Sequence, residues 1–131
     1  MHEFKYKNNQ LYCENVKVQA LAKSFGTPLY VYSYATLINH FIKLRNAFRL
    51  VRPLICYSVK ANSNLAILKA LVNIGAGLDI VSGGELYRAL KVGCPAKKIV
   101  YASVGKTGKE IATAINKGIL FFNVESLPEL E

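Results

Sequence analysis

The sequence predicts an α/β fold in which consecutive βα units build a parallel sheet. Apolar, strand-like runs recur along the second half of the chain, near 55–59, 78–81, 99–102 and 120–123. Their matching positions follow one another at steps of 21 residues: Val59, Ile80, Tyr101 and Phe122. Helical apolar stripes lie between the runs, and each stripe ends at or near a glycine: Gly75, Gly93 and Gly118. Strand and helix alternating at this short spacing favour right-handed βα units.

Four such strands are too few to close a (β/α)8 barrel, which needs eight strands and about 250 residues. The alternatives are an open four-stranded sheet and the first part of a longer barrel. We favour the partial barrel, because another helix begins near Leu127. A leucine-rich solenoid would also have a period near 20 residues, but its L-x-x-L-x-L signature is absent from the sequence.

The segment before these units predicts smaller elements. A short polar strand or hairpin edge is expected around Gln10–Cys13, followed by a helix over Val18–Phe25 that Gly26 ends in the left-handed conformation. Alternating residues predict a strand at Leu29–Tyr32. Ser33 is a good N-cap for the next helix, whose apolar stripe runs to Phe48.

Composition limits the possible functions. The chain has 131 residues, a hydrophobic fraction of 52% and a net charge of +9, which indicate a folded domain with a basic surface. Its basic residues are scattered, so nucleic-acid binding is the weaker hypothesis and would show as salt-sensitive retention. No apolar run is long enough to cross a membrane, and the expected location is cytoplasmic. The three cysteines and two histidines have no metal-ligand spacing.

Lys60 is the first candidate catalytic residue. It follows an apolar run and precedes small polar residues, which places it at the carboxyl end of a strand. The active sites of α/β folds lie at this end of the strands. Desolvation there would favour the neutral amine, which reacts with aldehydes. The chain has 13 lysines, so the alternative is an ordinary surface charge.

Asp79 and the Ser82-Gly83-Gly84 run form a second candidate region. Asp79 lies within an apolar strand and needs a partner if it is buried; Lys60, one strand away, is the expected one. The glycines would allow a ligand close to the backbone, and the helix N-terminus after them favours an anion. Glu85 lies in that first helical turn, where a carboxylate also interacts favourably with the helix dipole.

Gly105-Lys106-Thr107 suggests a phosphate-binding loop but does not match one. The P-loop has a glycine five positions before Gly105, and Val100 stands there. We therefore interpret this stretch as a βα loop in which Thr107 caps the next helix.

Five stretches taken in order resemble the amino-terminal portion of the diaminopimelate decarboxylases, within the alanine-racemase-like (fold type III) class of pyridoxal-phosphate enzymes. They lie at 24–32, 57–64, 75–86, 104–107 and 122–126. Ser63–Ala66 and Ser82–Glu85 are similar to the decarboxylase branch rather than to the racemase branch. The resemblance implies a partial (β/α)8 barrel over residues 34–131, preceded over 1–33 by the leading segment of a β-sandwich domain.

The resemblance also implies site residues and a cofactor. Lys60 matches the lysine that binds pyridoxal 5'-phosphate (PLP) covalently, Asp79 matches an aspartate near that lysine and the cofactor, and Glu85 matches a family glutamate. The family forms homodimers with shared active sites. In the family, the ring-stacking histidine, the phosphate loop and the substrate-binding residues follow the region that this chain resembles. No residue of this chain is therefore assigned to substrate binding.

The function that the resemblance implies is PLP-dependent decarboxylation of meso-diaminopimelate to L-lysine and CO2. The 131-residue chain by itself is expected to have little or no such activity. The alternatives are another fold type III decarboxylase or racemase, and a truncated module without catalysis.

Overall fold

The computed structural model describes residues 2–131, and the chain forms two compact units. The amino-terminal unit ends at Phe48, and the carboxyl-terminal unit spans Arg49–Glu131. The division into domains at residue 33 stays a prediction of the sequence.

The amino-terminal unit begins with a three-stranded antiparallel sheet in the order β1-β2-β3. The strands are β1 (Phe4–Lys7), β2 (Gln10–Cys13) and β3 (Val16–Lys17). Phe4 pairs with Cys13, and Tyr12 pairs with Lys17. The expected short strand around residues 10–13 is therefore confirmed, and it is the central strand of this sheet rather than an edge.

Two helices complete this unit: α1 (Val18–Phe25) and α2 (Tyr34–Ala47). Helix α1 has the predicted bounds. Gly26 follows it at φ 81° and ψ −178°, so the expected left-handed stop is wrong, although the positive φ still favours glycine. The predicted strand at Leu29–Tyr32 is also wrong, because no strand of residues 2–131 pairs with it and Tyr30 is 86% exposed.

Ser33 caps α2 as predicted. Its Oγ accepts a hydrogen bond from the Thr36 amide at 3.0 Å and donates one to Glu14 Oε1 at 2.8 Å. Glu14 Oε1 also accepts from the Ala35 amide at 2.9 Å. The amide of Ala35 and the hydroxyl of Ser33 lower the pKa of Glu14. The Glu14 carboxylate and the Ser33 hydroxyl thus accept hydrogen bonds from the N-terminal amides of α2.

The carboxyl-terminal unit is a four-stranded parallel sheet in the order β4-β5-β6-β7, with helices between the strands. The strands are β4 (Cys56–Ser58), β5 (Gly77–Ile80), β6 (Ile99–Tyr101) and β7 (Phe121–Phe122). The helices are α3 (Leu65–Asn73), α4 (Gly83–Lys91), α5 (Gly108–Lys117) and the short α6 (Leu127–Leu130). The predicted βα units are confirmed.

The sequence period equals the register of the sheet. Tyr57 pairs with Leu78, Ile80 with Tyr101, and Tyr101 with Phe122, each at a step of 21 residues. Side chains at equivalent points of the repeat therefore lie side by side on one face of the sheet.

That face is covered by helices and forms the core. Leu78, Ile80, Ile99 and Tyr101 are 0% exposed and pack with apolar residues of α3, α4 and α5, among them Leu68, Leu86 and Ala114. The opposite face carries the alternate residues: Cys56, Ser58, Gly77, Asp79, Val100 and Phe121. Gly77 is required there, because a Cβ would lie 2.6 Å from the Lys98 carbonyl oxygen and 2.7 Å from Cys56 Sγ.

Candidate active site

The loops that follow the four parallel strands all lie at one edge of the sheet. They comprise residues 59–64, 81–82, 102–107 and 123–126. Ligands of open α/β sheets bind at this carboxyl edge. The predicted site residues Lys60, Glu85 and the Ser82–Gly84 run are at this edge, and Asp79 lies in the strand that leads to it.

Lys60 lies in a 3₁₀ turn, Val59–Ala61, directly after β4. Hydrogen bonds from the residues before and after this turn hold it in place. The Tyr57 hydroxyl donates to the Asn62 carbonyl oxygen at 3.3 Å, and Asn62 Oδ1 accepts from the Asn64 amide at 2.9 Å. Asn64 then caps α3 by accepting from the Ala66 amide. The polar residues after Lys60 thus fix the turn that presents it.

The Lys60 side chain is exposed, which differs from the expectation of a desolvated amine. The strand before it ends at Ser58, so the lysine stands beyond the packed part of the sheet. Exposure does leave Nζ accessible to an aldehyde.

Asp79 is half-buried near the end of β5, where it pairs in register with Ser58. Within residues 2–131 no ion pair joins it to Lys60, so the expected pairing of these two residues is not formed. The Ser58 Oγ beside it is buried and makes no hydrogen bond to the described residues. Burial, and then the charge of Asp79, raise the pKa of the Cys56 thiol on the same face. The unpaired Ser58 hydroxyl and the Asp79 carboxylate therefore lie side by side below Lys60.

The N-terminus of α4 is already occupied by a carboxylate of the chain itself. Glu110 Oε1 accepts from the Gly83 amide at 2.7 Å, and Ser82 Oγ accepts from the Glu85 amide at 3.2 Å. Glu85 Oε2 accepts from the Val81 amide at 2.8 Å. These bonds occupy the Gly83 and Glu85 amides of the helix N-terminus that the sequence suggested for an external anion, so Gly83 and Glu85 have structural roles here.

Glu110 joins two neighbouring loops. Its Oε2 accepts from the amide and the hydroxyl of Thr107, while Thr107 Oγ1 accepts from the Glu110 amide, which completes a capping box. The amides of Thr107 and Gly83 are the main causes that lower the pKa of Glu110 to about 2. Burial, and then the nearby Glu110 charge, raise the pKa of Tyr101 to about 12.

Lys106 is turned into the protein rather than toward a ligand. Its side chain is 0% exposed and forms an ion pair of 2.7 Å with Glu129. Nζ also donates to the carbonyl oxygens of Ser103 and Asn123. An ammonium has three N–H donors, and each has an acceptor here. Rejection of a phosphate-binding loop is therefore supported, and Thr107 caps α5 as predicted.

Sequence reasoning missed the roles of Glu110 and Lys106. A Thr-x-x-Glu spacing before an apolar helix is a capping-box signal, so Thr107 and Glu110 were findable from the sequence. The hydrogen bond from the Gly83 amide to Glu110 joins residues 27 positions apart, so no local sequence pattern predicts it. Nothing in the sequence near Lys106 distinguishes it from the exposed Lys109.

Two further properties bear on function. Among residues 2–131, no group of three or more His, Cys, Asp or Glu side chains is arranged to hold a metal ion. Over the same residues, no helix has the length and apolar character required to cross a lipid bilayer.

Comparison with known proteins gives a consistent result. Residues 34–131 match the family described as "Pyridoxal-dependent decarboxylase, pyridoxal binding domain". The chain is 54% identical over 129 residues to a diaminopimelate decarboxylase of Aquifex aeolicus, covering 96% of this chain and 30% of that protein. It is 50% identical over 121 residues to the Neisseria meningitidis serogroup B diaminopimelate decarboxylase, covering 92% of this chain and 29% of that one.

A solved structure agrees with the fold. Diaminopimelate decarboxylase from M. jannaschii, crystallised with L-lysine, superposes with a TM-score of 0.94 at 37% identity. The match covers 99% of this chain and 32% of that chain. The parallel βα units described above thus match the corresponding region of that enzyme. The chain spans about 30% of the length of these relatives.

Proposed function

We propose, because this chain belongs to the pyridoxal-dependent decarboxylase family, that it forms the amino-terminal part of a diaminopimelate decarboxylase. Its βα units would be the first units of a (β/α)8 barrel, and its antiparallel strands the start of a β-sandwich domain. The complete protein would convert meso-diaminopimelate to L-lysine and CO2 in the cytoplasm. It would act as a homodimer with shared active sites.

The observation that carries this proposal is the placement of Lys60. Its amine is accessible, stands at the carboxyl end of β4 and is presented by a turn that three side chains hold in place. An accessible lysine amine at this edge of a parallel sheet is the group that a carbonyl cofactor requires. Lys60 also resembles the lysine that binds PLP covalently in this family.

The described residues fit one end of PLP. When bound, PLP supplies an electron sink for the pair released as the carboxylate leaves. Lys60 would hold its aldehyde carbon, and Ser58 would present an unpaired hydroxyl beside Asp79 on the sheet face below that lysine. The phosphate would be bound by residues outside this chain, because Lys106 and the Gly83 amide already have partners.

It follows that the 131-residue chain by itself has little or no decarboxylase activity. Groups that bind the phosphate and select the substrate carboxylates are needed in addition to Lys60. Release of CO2 from meso-diaminopimelate with added PLP is the measurement. Substantial turnover that disappears in Lys60→Ala would overturn this part of the proposal.

The test of the cofactor site is reductive trapping. The chain is incubated with PLP, reduced with borohydride and digested, and the modified lysines are mapped by mass spectrometry. The lysine amine condenses with the PLP aldehyde with loss of water, and hydride from borohydride then reduces the resulting C=N bond to a stable secondary amine. We expect modification at Lys60 to exceed that at each of the other 12 lysines several-fold, with Lys43 as an exposed reference.

If all exposed lysines were modified to the same extent, the proposed site would be contradicted. It would favour the alternative that this chain is a module without catalysis. Preferred modification at Lys60 together with weak catalysis would support the proposal in both parts.

A further inference from the structure

Lys106 is the residue whose surroundings the proposed function does not yet explain. Its side chain is 0% exposed and that of its ion-pair partner Glu129 is 11% exposed. The Nζ atom also lies 5.9 Å from the centre of the Tyr101 ring, which is itself part of the core. Burying an ammonium is costly unless it is paired and hydrogen-bonded, and an apolar side chain would fill the same space without that cost.

The partners of Lys106 belong to three different segments. Ser103 lies in the loop after β6, Asn123 in the loop after β7, and Glu129 in α6. Glu129 extends the connection, because its Oε2 accepts from the Glu125 amide at 3.1 Å. One ammonium therefore joins two successive loops of the carboxyl edge to the helix that follows them.

Similar side-chain bonds join the preceding loops. Arg88 of α4 donates to the Ser63 carbonyl oxygen at 3.3 Å, and Glu110 of α5 accepts from the Gly83 amide at 2.7 Å. With Lys106 they form a series in which each βα loop is bonded to the next βα unit. The series begins at the loop that carries Lys60. Lys106 is the fully buried member with a charged partner, so its loss removes the most interactions.

We infer that Lys106 is a positioning residue: its buried ammonium holds the loops after β6 and β7 at the edge where Lys60 meets the cofactor. This inference rests on the proposed function. It assigns Lys106 no contact with cofactor or substrate. The functional consequence is that Lys60 is presented to PLP in one arrangement of the surrounding loops.

The experiment compares Lys106→Met with Lys109→Met in the 131-residue chain. Methionine keeps the unbranched apolar part of lysine and removes the charge, and Lys109 is exposed three residues away. Two quantities are measured: amide hydrogen exchange in 102–107 and 123–129, and the ratio of PLP trapping at Lys60 to trapping at Lys43. We expect Lys106→Met to speed exchange at least tenfold in both segments and to lower the ratio at least threefold. Lys109→Met should change neither quantity.

A general loss of stability must be separated from positioning. Ile119→Ala serves as the control, since Ile119 is a buried core residue just before β7, at the sheet edge opposite to the loops that the experiment follows. It should destabilise the unit while leaving the Lys60 to Lys43 ratio unchanged at temperatures where the protein is folded. If Lys106→Met does not fold, Glu129→Gln is used; it keeps the shape of the side chain, and we expect the same changes at smaller size.

The outcomes separate the two proposals. A ratio near one in the unmodified chain rejects the proposed cofactor site, and the inference about Lys106 with it. A high ratio that Lys106→Met leaves unchanged rejects the positioning role alone. A ratio that falls equally in Lys106→Met and Ile119→Ala also rejects it, because the effect is then one of stability.

Discussion

The two units of this chain use amphipathic helices with different results. In the carboxyl-terminal unit, seven large side chains are less than 2% exposed: Val59, Leu68, Leu71, Leu78, Ile80, Ile99 and Tyr101. In the amino-terminal unit, the buried residues between positions 2 and 48 are Cys13 and Ser33. The helices α1 and α2 contain no buried residue, although both have apolar residues at helical spacing. An apolar stripe alone does not make a core.

The difference lies in what each helix has to pack against. Each βα unit brings its own strand, and the apolar face of the resulting sheet receives α3, α4 and α5. The amino-terminal sheet has strands of four, four and two residues, too short to cover a helix of 14. Leu44 and Phe48 accordingly remain 46% and 51% exposed. The formation of a helix is thus set locally, whereas its burial depends on the neighbouring elements.

The sharpest test of this comparison replaces one helical leucine in each unit. Leu68 in α3 is 0% exposed and Leu44 in α2 is 46% exposed. We expect Leu68→Ala to lower the free energy of unfolding by about 2–5 kcal/mol, since it leaves a cavity. Leu44→Ala should cost less than about 1 kcal/mol, because nearly half of Leu44 stays exposed in the folded chain. Urea denaturation followed by circular dichroism measures both.

Equal costs for the two leucines would break the comparison. They would mean that the stripe of α2 is buried in solution as deeply as that of α3. An unchanged denaturant slope in both variants is the control that the same transition is observed.

A smaller effect is expected from a methyl group added to the sheet. In Gly77→Ala the new Cβ would lie 2.6 Å from the backbone oxygen of Lys98, which cannot move aside easily. We expect a loss of about 1–3 kcal/mol from this overpacking. Gly84→Ala is the matched control in α4, where the nearest atom would be Ser82 Oγ at 3.8 Å. It should change stability by less than about 1 kcal/mol, in the stabilising direction.

Thermal unfolding of the two glycine variants checks this prediction. A Gly77→Ala protein as stable as Gly84→Ala would show that the strand spacing adjusts without cost. The register that the 21-residue period indicates would then be looser than the structure has it.

The repeat made the carboxyl-terminal unit predictable from the sequence. Apolar residues at one period, with glycines at or near the helix ends, predicted the parallel βα units, and the 21-residue step between Ile80, Tyr101 and Phe122 equals the register of the sheet. The N-caps Ser33 and Thr107 were predictable for the same reason, because capping depends on residues within one turn. The placement of Lys60 after its strand followed from the end of the apolar run.

What the sequence did not predict depends on distant contacts. Lys60 is exposed because β4 ends at Ser58, and that end is set by pairing with β5. The predicted strand at Leu29–Tyr32 lacks a hydrogen-bonding neighbour within residues 2–131, a condition that no local pattern reports. The burial of Lys106 likewise requires Asn123 and Glu129, which are 17 and 23 positions away.

The smallest expected effect concerns acid stability and again contrasts the two units. Glu110 accepts a backbone amide at the start of α4, and Glu14 accepts one at the start of α2. Both carboxyl groups have a lowered pKa, that of Glu110 about 2 instead of the ordinary 4.5. A lowered pKa contributes stability that is fully present above about pH 4.5 and is lost as the pH falls toward 2. We expect Glu110→Gln to cost on the order of 1 kcal/mol at neutral pH and to flatten the acid limb of the stability curve. Glu14→Gln should act in the same direction on the amino-terminal unit, with hydrogen exchange near Ala35 as its readout. If Glu110→Gln retained the full loss of stability between pH 4.5 and 2, other carboxylates of the carboxyl-terminal unit would be responsible for it.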